Sequence, residues 1–241
     1  MRYRGVVSYD GTNYSGWQKQ PGRISIQGLL EEALFSLTGQ HISVTGAGRT
    51  DAGVHAYGQV FHFDCDKSFA WFARSLNSQL PADVYVREVT EATPDFHSRY
   101  DAVRKHYRYC INCGEYDVFL RNRCYQLGHP LDVEKMREGA ALFKGEHDFT
   151  SFNATKLAEM ANQVRTIYSL DIREEGNLAI LDFVGNGFLR HMVRMITGSL
   201  IALGLGNTTL EDLEGMLNAA DKEACHQNAP AEGLYLVQID Y

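Results

Sequence analysis

Residues 46–58 read GAGRTDAGVHAYG, with four glycines, one arginine, one aspartate and one histidine in thirteen positions. Glycine loses much backbone entropy on ordering, so such a cluster marks positive-φ positions or close approach by another backbone or a ligand. Two phosphate-loop templates fail here. Gly46-x-Gly48 is followed by Asp51 where a dinucleotide fold needs its third glycine, and Gly48-x-x-x-x-Gly53 is followed by Val54-His55 instead of Lys-Ser/Thr. What remains is the chemistry of Asp51. An aspartate in a glycine loop also suits an Asx turn or a helix N-cap. Arg49, two positions away, supplies the opposite charge that holds a carboxylate ionised. An ionised carboxylate is a nucleophile or an ion partner and a poor general acid.

A second stretch, FHSRYDAVRKHYRY at 96–109, interleaves bases and rings: Phe96, His97, Arg99, Tyr100, Arg104, Lys105, His106, Tyr107, Arg108 and Tyr109. Read as a strand beyond residue 103, it puts Lys105, Tyr107 and Tyr109 on one face and Arg104, His106 and Arg108 on the other. Rings that stack bases beside cations that hold phosphates suit single-stranded or flipped-out RNA. A basic edge strand with its aromatics in the core fits the same pattern. The third stretch, NGFLRHMVRMITGSLIALG at 186–204, reads as one helix with Phe188, Met192, Met195, Ile196, Ser199, Leu200 and Leu203 on its apolar face. Arg190 and Arg194 then stack at i, i+4 with His191 beside them. Either arginine is solvated, or one aims its fork at a carboxylate or phosphate.

Other chemistries find less support. His55, His62 and His147 have no carboxylate or cysteine at ligand spacing, and Asp51 has no second acid in its motif as a glycosidase needs. Cys110 and Cys113 form a lone CxxC in an extended run. Four ligands are needed for structural zinc, so five reduced thiols are expected.

The elements that must position these residues follow from periodicity. Residues 2–9 alternate as a strand. Ile26, Leu29, Leu30, Ala33, Leu34 and Leu37 recur at helical spacing, with Ser25 as N-cap and Gly39 as stop. Strands near 41–46 and 57–64 flank the glycine loop, followed by a short helix near 68–77 and a strand near 83–90. The second half repeats the pattern: a strand at 103–112, a helix at 132–143, and a hairpin of 164–174 and 178–184 across Glu175-Gly176-Asn177. Helices at 187–204 and 209–219 and a closing strand, GLYLVQID, complete it. Twice over, this is the split βαβ, or ferredoxin-like, order. The expectation is an α+β fold with two such halves, antiparallel sheets, helices on one side and a central cleft for RNA. Residues 1–100 form the half with the Asp loop, and residues 101–241 the half with the Tyr strand and the Arg helix.

The 241 residues carry a net charge of −7, which opposes a phosphate-backbone partner. The distribution matters more. Residues 183–210 contain no acid, and 96–109 hold four cations against Asp101 alone. No apolar run reaches membrane-spanning length, and MRYRGVVSYDG lacks the apolar stretch of a signal peptide, so a cytoplasmic protein is expected.

Taken together, eight blocks in order are similar to the A-type tRNA pseudouridine synthases: YDGTNYSGWQKQP, SIQGLLEEAL, GAGRTDAGVHAYGQVFHF, LNSQLPADV, DFHSRYDAVRKHYRY, GEHDFTSF, FVGNGFLRHMVRMITGSL and NAPAEGLYLVQIDY. The resemblance runs along essentially the whole chain, and GRTDAGVHA is its most specific part.

The resemblance implies isomerisation of uridine to pseudouridine at positions 38 to 40 of the tRNA anticodon stem-loop, with no metal or organic cofactor. It makes Asp51 the nucleophile, attacking C6 of the uracil or C1′ of the ribose. Tyr107 matches the tyrosine that packs on the target base and takes the C5 proton directly or through water. Arg194 matches the arginine paired with the catalytic carboxylate. Arg49 matches a residue that contacts the RNA and holds the target nucleotide outside the stack. Phe96, His97, Ser98, Arg99 and Tyr100 match a tRNA-contacting segment, and Leu234 matches an apolar pocket wall. It further implies a homodimer with tRNA lying across both subunits. A non-catalytic RNA-binding module on the same fold is the alternative, and a nucleoside hydrolase releasing free uracil is a third.

Overall fold

Arg2–Tyr9 alternates half-buried and buried side chains, and forms strand β1. Tyr3, Val7 and Tyr9 point into a core, while Arg4, Val6 and Ser8 point the other way. A computed structural model describes residues 1–67, 71–155 and 162–241. They fall into two compact units, Met1–Val103 with Tyr235–Tyr241, and Arg104–Leu234.

In the first unit, β1 is followed by α1 (Ile26–Thr38), β2 (Thr45–Gly46), β3 (His55–Asp64), α2 (Phe72–Asn77) and β4 (Val84–Ala92). The Ser25 side chain accepts the Gly28 N–H and caps α1, and Gly39 ends it in the left-handed conformation. Burial on α1 falls on Ile26, Leu30, Ala33 and Leu34, as the spacing predicts, with Leu29 and Leu37 half-buried at its margin. β1 pairs antiparallel with β3 and β4, and β2 pairs antiparallel with β3. The order β4-β1-β3-β2 is the split βαβ arrangement, in which two strands joined through a helix enclose a third. Phe72 of α2 closes the core against Tyr3 and Phe63, at ring distances of 5.1 and 5.4 Å. β10 (Leu234–Asp240) runs parallel to the start of β3, with Tyr235 opposite His55. Two boundaries differ from the periodicity. The strand expected over 41–46 shortens to Thr45–Gly46, and the helix expected near 68–77 runs over Phe72–Asn77 with Trp71 as its N-cap, residues 68–70 lying outside the described residues.

The second unit contains β5 (Arg104–Asn112), β6 (Tyr125–Gln126), α3 (Val133–Leu142), β7 (Gly145–Asp148), β8 (Val164–Glu175), β9 (Leu178–Gly185), α4 (Met192–Gly204) and α5 (Leu210–Ala219). β5, β9, β8 and β7 pair antiparallel in that order, and β6 lies parallel beside β5. β5 and β8 again enclose β9, with the β8–β9 turn at Gly176-Asn177. α3 packs on α4 at Gly139, where a Cβ would come within 2.6 Å of Leu203 Cδ2, so a larger residue must displace that side chain. Asp132 caps α3, and Thr209 with Asp212 forms a capping box on α5. Both units are thus α+β with mostly antiparallel strands.

The helix expected over 187–204 begins only at Met192. His191 takes a left-handed conformation (φ +63°), and the chain before it is held by other partners. Arg190 O accepts the Ala154 N–H, and the Leu189 N–H points at Met192 Sδ. Arg190 therefore precedes the helix, and the i, i+4 stack with Arg194 does not form.

Candidate active site

Asp51 lies in a loop tied down on both sides of Thr50. The Thr50 carbonyl accepts the Trp17 N–H at 3.0 Å, and the Tyr9 and Thr50 hydroxyls meet at 2.8 Å. Burial pushes the Tyr9 phenol well above its usual range, so it stays a neutral hydroxyl. Gln59 of β3, fully buried, donates from Nε2 to Gly48 O at 2.8 Å. The Val54 N–H returns to Asp51 O at 3.2 Å and closes the turn. Gly16 (φ +83°) lets the Gly16–Trp17 strap pass beneath, where a Cβ would sit 2.4 Å from Thr50 O. Each bond contributes about 1 kcal/mol net. Together they fix the backbone that carries a half-buried carboxylate.

Arg49 is exposed, and no ion pair joins it to Asp51 among the described residues. The loop turns at Thr50, so two residues apart in sequence does not bring the two charges into contact. His55 is a buried structural residue. Its Nδ1 lies 3.0 Å from the Gly11 N–H and 3.2 Å from Asp10 Oδ1.

The 96–100 segment is a rigid turn. His97 Nδ1 accepts the N–H groups of Arg99 and Tyr100, and the His97 N–H donates to Asp101 at 2.7 Å. Ser98 is fully buried, its N–H on His62 Nδ1 and its Oγ donating to Thr45 O. Tyr241 Oη donates to Ser98 O, and Arg2 to Phe96 O. Burial, then the His97 and Arg2 charges, hold His62 below its usual value, so it accepts as the neutral ring. Arg99 and Tyr100 stand exposed at the tip, with Tyr100 stacked on His97 at 4.2 Å. The segment is therefore a presented tip on a buried root.

β5 divides its two faces as the alternation predicts. Tyr107 and Tyr109 are buried, and Phe188 meets Tyr107 edge-on at 5.2 Å. The opposite face holds a finding the sequence did not reveal. His106 Nε2 and Arg108 Nε reach Asp182 Oδ1 at 2.6 and 2.9 Å, and Arg173 binds Asp182 Oδ2. Burial works to raise the Asp182 carboxyl, but these three donors outweigh it and hold it well below the usual carboxylate range. Two residues of that face, His106 and Arg108, thus belong to a cluster around Asp182.

Arg194 occupies the first turn of α4. Its Nε donates to Ala229 O at 2.8 Å, and the Ala229 N–H donates to Arg194 O at 3.0 Å, so the side chain and the 227–229 strap hold each other. Leu234 is buried behind a short turn at Ala231–Gly233 that packs on Tyr109, whose Oη donates to Pro230 O at 2.6 Å. The loop supports Tyr9, Trp17 and Gln59 were not singled out from sequence. YSGW was the one signal, since a glycine before a buried tryptophan marks close backbone passage.

All five cysteines are free, and burial pushes the Cys110 and Cys124 thiols up to about 11 and about 12, which leaves them protonated and unreactive. Among the described residues, no group of three or more His, Cys, Asp or Glu could hold a metal ion. Nor, among the described residues, is any helix long and apolar enough to cross a membrane.

Comparison with known proteins gives consistent matches. A tRNA pseudouridine synthase family profile matches residues 6–101 and 140–241. The tRNA pseudouridine synthase A of Geobacillus sp. (strain WCH70) is 44% identical over 244 residues, covering 100% of this chain and 98% of the relative. That of Halalkalibacterium halodurans is 46% identical over 233 residues, covering 95% and 88%. Among solved structures, the archaeal box H/ACA sRNP Nop10-Cbf5 complex matches at 13% identity and a TM-score of 0.39, covering 95% of this chain and 58% of that one.

Proposed function

Because the chain belongs to the tRNA pseudouridine synthase family, an isomerase family, we propose that it isomerises uridines at positions 38 to 40 of the tRNA anticodon stem-loop with Asp51 as nucleophile. The observation that carries this reading is the fixed loop around Asp51: four hydrogen bonds hold its backbone, while its carboxylate is left half-buried. A group that must attack one atom of a bound nucleoside needs that positioning.

The carboxylate attacks C6 of the uracil or C1′ of the ribose, and the N-glycosidic bond breaks. The base turns within the pocket, C5 bonds to C1′, the bond to Asp51 breaks and frees the carboxylate, and a proton is lost from C5 while N1 gains one. No atom is gained or lost, so the reaction requires a covalent handle, a proton acceptor and a closed pocket. Tyr107, buried and braced by Phe188, packs on the target base and takes the C5 proton directly or through water. Arg194, its Nε held by Ala229 O, is the cation that pairs with the Asp51 carboxylate. Arg49, exposed on the loop, contacts the RNA and holds the nucleotide outside the stack, since a base must leave the helix before its glycosidic bond can be reached. The tip at Phe96, His97, Ser98, Arg99 and Tyr100 touches tRNA, and Leu234 forms an apolar wall. Two copies of the chain joined as a homodimer give the acidic protein a longer basic track, and tRNA as substrate places it in the cytoplasm.

The test is Asp51→Asn and Asp51→Ala on unmodified tRNA, with pseudouridine read by carbodiimide labelling. The expected result is loss of product with tRNA affinity kept within about tenfold. Wild-type turnover in Asp51→Ala ends the proposal. Free uracil as product indicates a hydrolase, and tRNA binding by the wild type without product indicates a binding module.

A further inference from the structure

The first unit's sheet has a second face, turned away from the Tyr3–Phe63–Phe72 core. On β1 it carries Arg4, Val6 and Ser8, all half-buried. Tyr85 is the cross-strand partner of Ser8 on β4. On β3, a register shift puts Tyr57 beside Ser8, whose Oγ donates to Tyr57 O at 2.5 Å. Tyr85 is 59% exposed and Tyr57 51%. Two rings thus stand on one sheet face, two strand spacings or about 9.5 Å apart, with only a serine between them.

Tyr57 is also rigid. Its ring stacks on Tyr235 at 5.2 Å and 12°, and Tyr235 stacks on His55 at 4.7 Å and 25°. Tyr57 is the end of a three-ring column, and half of it remains exposed. Arg87, also on β4, donates to Tyr57 O at 3.3 Å. The same face opens into a groove of about 740 Å³ whose lining includes Arg4, Arg87, Glu88, Phe96 and Tyr241. Arg4 is balanced by Glu88 at 3.1 Å and sits 5.4 Å over the Tyr241 ring. The groove therefore has rings and little net charge, which suits bases better than phosphates.

Resting on the synthase reading, we infer that this sheet face is a stacking platform for unpaired RNA bases flanking the target uridine, with Tyr57 and Tyr85 as its two ring positions. A four-stranded ferredoxin-like sheet with exposed rings stacks two or three bases in RNA-recognition modules. Its placement supports the same occupant. β3 begins at His55, four residues after Asp51, and the groove reaches Phe96, so both ends meet segments assigned to RNA. β1 spans about 26 Å along the face, room for a short single-stranded run.

The experiment titrates Tyr57→Ala, Tyr85→Ala and the two Phe variants with unmodified tRNA transcript, and crosslinks the wild type to tRNA carrying 4-thiouridine in the anticodon loop. Each Ala variant is expected to bind about tenfold more weakly, with the loss on Kd and KM more than on kcat, while the Phe variants restore affinity. Crosslinks are expected on peptides containing Tyr57 or Tyr85, and they decide the matter if a variant does not fold. Wild-type affinity in both Ala variants overturns the platform, as do crosslinks absent from both peptides. A changed oligomeric state by light scattering with unchanged affinity per subunit also overturns it and assigns the face to self-association. If the wild type binds tRNA but forms no pseudouridine, the synthase reading fails, and the tyrosine dependence and crosslinks still decide the platform.

Discussion

Tyr9 and Thr50 meet hydroxyl to hydroxyl at 2.8 Å inside the first unit, one residue before Asp51. The contact ties the last residue of β1 to the glycine loop, so strand and carboxylate move together. Tyr9→Phe keeps the ring and removes the tie, leaving the Thr50 hydroxyl with one partner fewer in a buried site. Stability is expected to fall by about 1–2 kcal/mol, measured by urea unfolding. Single-turnover pseudouridine formation is expected to drop by about tenfold or more, because small misplacements of a reacting group are costly. An unchanged rate with lowered stability would show that the tie supports the fold and not the reaction.

Gly16 is the second support. It combines a positive φ with a Cβ direction that ends 2.4 Å from the Thr50 carbonyl. Gly16→Ala meets backbone on both counts, and backbone does not swing aside as a side chain does. The expected cost is about 2–4 kcal/mol, seen as a lowered melting temperature. Gly22 also has positive φ (+70°), yet a Cβ there meets no atom within 4 Å. Gly22→Ala is expected to cost about 1 kcal/mol, from the backbone strain alone. Equal losses in the two variants would remove the close-approach argument.

How far the sequence spoke for the fold depends on whether the signal was local. The alternation of β1, the Ser25 cap, the Gly39 stop and the turn at Gly176-Asn177 lie within a few residues of what they determine, and all are present. The helix start was misread because Phe188 fits the apolar spacing, whereas the left-handed His191 and the Arg190 bond to Ala154 depend on partners far along the chain. The ion cluster on β5 was hidden for the same reason. Asp182, which binds His106 and Arg108, lies more than seventy residues away on β9. The fixed loop that carries Asp51 was legible because glycine density is local. Its supports, Tyr9, Trp17 and Gln59, looked like ordinary core residues and became visible only through their hydrogen bonds.

The Asp182 cluster predicts a pH dependence. A carboxyl held below its unfolded value contributes stability that is present above about pH 4 and is lost as pH falls below that toward the folded value. Asp182→Asn keeps the shape and removes the charge, facing Arg108 and Arg173 with a neutral amide. Because the partners are partly exposed, the expected loss at pH 7 is about 1–3 kcal/mol, at the low end of buried pairs. The gap between wild type and variant should narrow as pH falls from 5 to about 2. Unfolding curves across that range check it, and a gap independent of pH would mean that the ions do not carry the effect.

Tyr107 offers the sharpest separation of two roles. Its ring is buried and meets Phe188 edge-on, an arrangement that Phe in its place preserves. Tyr107→Phe is therefore expected to fold with near wild-type stability and to keep its affinity for tRNA. If the hydroxyl relays the C5 proton, the rate should fall by about 100-fold or more, the usual contribution of a placed acid or base. Release of tritium from tRNA labelled at uridine C5 reads that step alone, without interference from binding. Tyr107→Leu, which loses the ring as well, should add a loss in affinity that the Phe variant does not show. A Phe variant with wild-type tritium release would take proton transfer away from the hydroxyl and leave Tyr107 as a stacking surface, with the proton passing to water.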